Sequence, residues 1–157
     1  MDFINRLYGM GRLLFNNKLQ FVTIQMERDI SNLEDIKQLV DSFYGRVRED
    51  DQLKDIFNER IQDRWPQHLE KMYRFWQTVL LEEHTYHGSP FVPHAKLPVE
   101  LKHFERWMKL FDETVDSLFK GEKATRAKWQ GERMAEMFHS KIEYYKNNTA
   151  TPILIAN

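Results

Sequence analysis

Cysteine is absent from the 157 residues. That excludes disulfides, thiolate metal ligands, iron–sulfur clusters and thiol catalysis. It also fits a reducing compartment. An excess of one charge is absent too: 23 Lys and Arg face 24 Asp and Glu. The chain therefore lacks the overall basic excess that nucleic-acid binders usually carry. No apolar run approaches the roughly 18 residues that a membrane-spanning helix needs. Residues 1–20 mix Leu and Phe with Asp, Asn, Arg and Lys, and lack the compact apolar stretch and cleavage site of a signal peptide. The expectation is a cytoplasmic chain with neither nucleic acid nor a membrane span among its partners. Common catalytic motifs are missing as well: there is no Walker A loop, no G-x-G-x-x-G, no H-E-x-x-H and no nucleophile elbow. His84 and His87 form an isolated H-x-x-H, too few ligands for a zinc site, and read as surface-loop histidines.

Aromatic side chains are abundant. There are 11 Phe, 6 Tyr and 4 Trp, with 7 Met besides. An ordinary helical core built from large side chains would explain them; so would a pocket for a flat, apolar cofactor. Composition leaves both readings open. The length suits one domain with a core large enough to surround a ligand.

Periodicity divides the chain. Residues 1–26 read as an N-terminal extension, loosely ordered, in which Gly9 and Gly11 interrupt any long helix. The main domain is expected over residues 27–148, followed by a loose tail at 149–157. A first long helix is predicted from Asn32 to Arg48, opened by a Ser31–Glu34 capping box, with Ile36, Leu39, Val40, Phe43, Tyr44 and Val47 on its apolar face. A short segment anchored by Leu53, Ile56 and Phe57 follows. A second long helix is predicted from Arg64 to Glu83, with Pro66 in its first turn. Its stripe holds Trp65, Leu69, Met72, Phe75, Trp76, Val79 and Leu80, and His68 lies inside it. Periodicity then vanishes from His84 to Pro98, where Gly88, Pro90, Pro93 and Pro98 mark a loop with room for one helical turn. A loop of that length is commonly functional or disordered. A third long helix should run from Pro98 to a C-terminal cap at Gly121, burying Leu101, Phe104, Met108, Phe111, Val115 and Leu118, with Trp107 alongside. A fourth should run from Glu122 to Tyr145, with Ala127, Met134, Phe138 and Ile142 facing inward. The fold class is all-α: two helix pairs joined by a long loop.

Four side chains have two readings each. His94, in the proline-bounded loop, is either an exposed histidine or an imidazole projected into a cleft. His68, on an apolar face, is either a core histidine with a backbone partner or the border of a pocket. Tyr44 and Trp107 bury large rings whose O–H and N–H need partners, and each is either a core residue with a structural hydrogen bond or a donor at a site.

The segments SFYGRVREDDQLKDIFN (42–58), WPQHLEKMYRFWQTVLL (65–81), YHGSPFVPHAKLP (86–98) and HFERWMKLF (103–111) occur in that order. Together, over roughly residues 30–145, the chain resembles a group III truncated haemoglobin, the two-on-two globin variant. Like that family, it has no glycine pairs at its helix ends. The N-terminal extension is a departure. The resemblance implies a truncated two-on-two globin fold with a long loop before the third main helix. It implies that His94, the histidine of H-x-x-L-P, is the axial ligand of a haem. Without cysteine, covalent c-type attachment is excluded, so haem b is expected. Phe57 would pack against the haem edge. Tyr44, His68 and Trp107 would face the bound gas on the distal side, and Phe43, Met72, Phe75 and Trp76 would line the pocket or its wall. From helix position, Lys71 could reach a haem propionate, and His68 could gate ligand access.

The function this implies is reversible binding of oxygen, nitric oxide or carbon monoxide. Donors from Tyr44 and Trp107 would favour slow oxygen release and oxygen or nitric oxide chemistry over bulk transport. Nitric oxide dioxygenase or peroxidase-like turnover, with an unidentified reductase as partner, is one form. A non-catalytic gas sensor or store acting through a partner protein is another. A helical interaction module without haem is the third, and predicts a colourless protein.

Overall fold

The computed structural model describes residues 10–15, 18–23 and 27–148. Its helical part begins with a cap. The side chain of Asn32 accepts from the Asp35 N–H at 3.0 Å, and helix α1 runs Leu33–Glu49. The Asp35 carboxylate reaches back to the Ser31 N–H and hydroxyl, both at 2.9 Å, and is bridged by Arg28. The capping pair is therefore Asn32 and Asp35, one residue beyond the expected Ser31 and Glu34. Glu34 instead points to solvent and pairs with Lys37. Asn is as good an N-cap as Ser, so the choice falls to the residue whose neighbour can be bridged from outside the helix.

Helix α2 spans Lys54–Ile61 and α3 Trp65–Leu81, with Pro66 in its first turn. The long connection after α3 carries a single 3₁₀ turn, Val92–His94. Helix α4 spans Leu101–Leu118 and α5 Glu122–Asn148. Pro98 does not start α4. The helix begins three residues later, where the Glu100 N–H donates to His103 Nδ1 at 2.9 Å. Leu101, expected inside, is 51% exposed, while Leu110 is buried in its stead.

Gly121 does not end α4 either. That helix stops at Leu118, with Phe119 extended and buried. Gly121 sits before α5 at φ +151°, a backbone conformation that favours glycine. A Cβ on it would lie 2.5 Å from Asp29 Cγ. The space is needed because the Asp29 carboxylate caps α5, accepting from the N–H groups of Lys123 and Ala124 at 2.8 and 2.9 Å.

Helix α1 packs on α3 and α4, α4 packs on α5, and α3 meets α5. This is the two-on-two helical sandwich. The main core fills it with Ile36, Leu39, Val40, Phe43, Phe111 and Val115, each at most 2% exposed. Burying each such side chain contributes about 1.5–3 kcal/mol. Gly131, buried in mid-α5, keeps the helix close to α4: a Cβ there would meet Phe111 at 3.2 Å and Trp107 at 3.3 Å. A second, smaller core is separate from the first and consists of Phe91, Val99, Phe138 and Ile142.

Ahead of the helices, strands β1 (Met10–Phe15) and β2 (Lys18–Thr23) pair antiparallel, Met10 opposite Thr23. No strand is expected there from the sequence, because the glycines draw attention as helix breakers. The run Leu19, Phe21, Val22 and Thr23 suits a strand. The expected tail at 149–157, and the rest of the extension, lie outside the described residues.

Candidate functional site

Between the two cores lies a cavity of about 480 Å³, a volume in the usual range for small-molecule and cofactor sites. Its lining comes from α1 through α5 and from the loop after α3. Nine residues singled out in the sequence meet there: Tyr44, Phe57, His68, Lys71, Met72, Phe75, Trp76, His94 and Trp107. Phe43 does not. It is buried behind the wall, its ring 5.0 Å from Tyr44, 5.2 Å from Trp107 and 5.2 Å from Phe111. Being adjacent to Tyr44 on a helix turns its side chain about 100° away, into the main core. The stacked rings of Trp107 and Phe111, 5.2 Å apart at 10°, and of Phe111 and Trp76, 5.0 Å apart at 16°, stiffen the same side.

His94 is held at the end of its 3₁₀ turn. Its Nδ1 lies 2.7 Å from the Pro90 carbonyl oxygen. A carbonyl only accepts, so Nδ1 carries the proton and Nε2 keeps its lone pair. The ring packs on Phe138, centroids 4.8 Å apart. Burial holds the imidazole pKa below its usual value, outweighing the opposite pull of the Pro90 carbonyl. His94 is thus a neutral imidazole with a fixed tautomer and one ring nitrogen left to coordinate, the arrangement that metal-bound histidines adopt.

His68 has no such partner. Among the described residues, its Nε2 is the one buried side-chain nitrogen or oxygen without a hydrogen bond. Its ring stands edge-to-face on Tyr44 and Trp65, at 4.9 and 5.7 Å. Burial first, then His94 and Lys71, push its pKa down to about 4, so it is neutral at pH 7. Burial raises the Tyr44 pKa, which keeps the hydroxyl protonated as a donor. No protein hydrogen bond engages the Tyr44 hydroxyl or the Trp107 indole N–H among the described residues. His84 and His87 lie exposed in the loop, and no group of three metal-ligating side chains exists among the described residues.

The structure adds residues that the sequence reading missed. Arg60, Arg64 and Gln67 line the cavity with Lys71, all four exposed. Arg60 donates to the Pro93 carbonyl at 3.3 Å, and Arg64 to the Arg60 carbonyl at 2.9 Å. They straddle the α2–α3 junction, Arg60 at the end of α2, Arg64 at the cap of α3, and Gln67 and Lys71 one face along α3, so no single helical period links them. Phe138 and Met134 were expected to face inward, but as plain core; both line the cavity.

The donor set fits a haem. There is a neutral imidazole with a free nitrogen, a slot walled by aromatic rings, cationic side chains at its edge, and a buried ring nitrogen that still lacks a partner. A helical sandwich around such a slot is the architecture of a globin. Comparison with known proteins agrees. The family described as bacterial-like globin matches residues 29–142. A curated relative, the group 3 truncated hemoglobin ctb of Campylobacter jejuni, is 32% identical over 124 residues, spanning 76% of this chain and 98% of that one. The crystal structure of group III truncated hemoglobin from Campylobacter jejuni matches with a TM-score of 0.69 at 32% identity and the same coverage. The chain belongs to the bacterial-like globins, and within them to the group III truncated haemoglobins.

Proposed function

We propose that the protein binds haem b through His94 Nε2 and uses it to hold oxygen and other diatomic gases. The observation that carries this reading is the His94–Pro90 pair, which presents an unprotonated imidazole nitrogen at a haem-sized cavity. The iron of bound haem supplies the position at which the gas is held. The remaining work falls to the chain. Phe57, Met72 and Phe75 give the macrocycle apolar contacts. Lys71, with Arg60 and Arg64, offers cations to the propionates. Tyr44 O–H and Trp107 N–H, neither bonded to another described residue, donate to a ligand that takes on negative charge. At about 0.5–1.5 kcal/mol per bond, two donors slow oxygen release roughly ten- to a hundredfold. That favours oxygen or nitric oxide chemistry over delivery, with a separate reductase returning ferric iron to the ferrous state. The absence of cysteine and of any described helix able to cross a membrane accords with work in the cytoplasm.

Absorption spectra of the haem-supplied protein test this reading, in ferric, reduced and oxygenated forms, beside His94→Ala. A Soret band that shifts on reduction and on oxygen, and is lost or altered without His94, is expected. No Soret band after haemin titration sinks the assignment.

A further inference from the structure

The histidine at the centre of this site stands in a loop with almost no regular structure. Only the 3₁₀ turn Val92–His94 interrupts it, and one hydrogen bond, to Pro90, fixes the imidazole from within the loop. Val92 is 69% exposed, so the turn is not anchored by the residue that opens it. Something outside the loop must hold its position. The buried residue next to the turn is Phe91, directly before it, at 9% exposure; Val99, also buried, lies seven residues beyond Val92, near the start of α4.

Phe91 is gripped by one face of α5. Its ring lies 5.6 Å from Phe138, stacks on Tyr145 at 6.1 Å and 17°, and receives the Lys141 ammonium 4.9 Å from its centroid. Positions 138, 141 and 145 follow at three and four residues, so one helical stripe forms the whole grip. The same Phe138 supports the His94 ring. Phe91 and His94 are therefore two rings of one loop turn resting on one side chain of α5. Phe91 and Phe138 belong to the small core, which is separate from the main one, and Lys141 and Tyr145 extend their contact to the surface. The main core cannot compensate for their loss.

We propose that Phe91 is a positioning residue for His94: clamped by Phe138, Lys141 and Tyr145, it sets the depth and rotation at which the imidazole meets the cofactor. This rests on His94 being the axial ligand. Phe91 itself does not line the cavity, so any effect of changing it on iron must pass through the histidine.

The test is resonance Raman of the ferrous, ligand-free, haem-loaded protein, which reads the iron–histidine stretching band, together with the rate of haem loss to an acceptor apoglobin. Phe91→Leu should shift or broaden that band and speed haem loss at least fivefold, while Phe91→Tyr restores both. Tyr145→Ala removes a partner that is itself 50% exposed and leaves the fold intact. It should broaden the band in the same direction, to a smaller extent. A band that is unmoved in both Phe91→Leu and Tyr145→Ala overturns the proposal, even if melting temperatures fall, because a merely structural role predicts that result. If the wild type shows no iron–histidine band, or His94→Ala keeps it, the axial assignment has failed instead.

Discussion

The His68 ring stands edge-on to the Tyr44 ring, 4.9 Å away at 87°, and in that pose its Nε2 is buried without a partner. A neutral polar atom left unsatisfied in a protein interior costs about 1–3 kcal/mol. Such atoms are rare in natural folds, and a bound ligand is one partner that can satisfy them. Replacing His68 with Leu should therefore stabilise the haem-free protein, by about 1 kcal/mol, where most core substitutions destabilise. Urea unfolding of the apoprotein measures it. A loss of stability would show that the imidazole contributes packing rather than carrying an unmet hydrogen bond. In the haem-loaded protein, ligand association and dissociation rates of His68→Ala test the gate; unchanged rates dispose of it.

Tyr44→Phe removes a hydroxyl and keeps the ring that packs against Phe43, Phe57 and Trp65. Because burial holds this hydroxyl protonated, it is a donor at any physiological pH. Its loss should raise the oxygen dissociation rate at least severalfold with little change in melting temperature. Stopped-flow displacement of oxygen by carbon monoxide reads the rate. An unchanged rate would mean that Trp107 alone, or neither residue, donates to the ligand.

Most of the helices were legible because their apolar residues recur at helical spacing, and α1 and α3 fall within two residues of their predicted limits. The misjudged ends share a cause. Ser31, Pro98 and Gly121 are each good local signals, but a competing contact decides between neighbouring candidates: Arg28 on Asp35, the His103 imidazole in the first turn of α4 on the Glu100 N–H, and, across the fold, Asp29 over Gly121. Asp29 caps a helix more than 90 residues away in sequence, so no local pattern could assign it. The site was legible in its conspicuous members. Their convergence on one cavity came through family resemblance, since no single spacing implies it. Phe43 was misplaced because periodicity puts it on the same broad face as Tyr44 and cannot separate the pocket wall from what lies behind. Arg60 and Arg64 escaped because charged residues at a helix junction look like ordinary solvated surface.

Gly121 cannot become alanine without displacing the cap it accommodates. The new Cβ would overlap Asp29 Cγ at 2.5 Å and Asp29 Cβ at 2.6 Å, and the φ of +151° strains any L side chain. Loss of a helix cap costs about 0.5–2 kcal/mol, and a forced backbone conformation about 1–3 kcal/mol. Gly121→Ala should thus destabilise by roughly 2–4 kcal/mol, a fall of about 5–15 °C in Tm for a domain of this size. Asp29→Ala at an unchanged glycine should cost only the cap. In calorimetry, equal losses for the two variants would show that strain at residue 121 is negligible.

Acid should unfold this protein through three buried-end carboxylates. For Asp29, burial raises the pKa, but the N–H donors of Lys123, Ala124 and Ile30 together outweigh it, and the net shift is downward. Asp35 and Asp50 follow the same balance, with burial opposed chiefly by Arg28 and Arg106 respectively. The Arg106–Asp50 pair, at 2.6 Å, also ties the end of α1 to α4. A carboxyl whose pKa is lower in the folded chain binds fewer protons there than in the unfolded chain. Its contribution to stability is therefore complete above the unfolded value, near 3.9, and is lost as pH falls through the folded value. Stability of the apoprotein should stay level in these groups from pH 7 to about 5 and fall below about 4. Asp29→Asn keeps an acceptor for one N–H and removes the charge. It should be less stable at pH 7 and show a shallower decline in acid, as read by urea unfolding at a series of pH values. If the slope below pH 4 matches that of the wild type, Asp29 is already protonated in the fold and acts as a neutral cap.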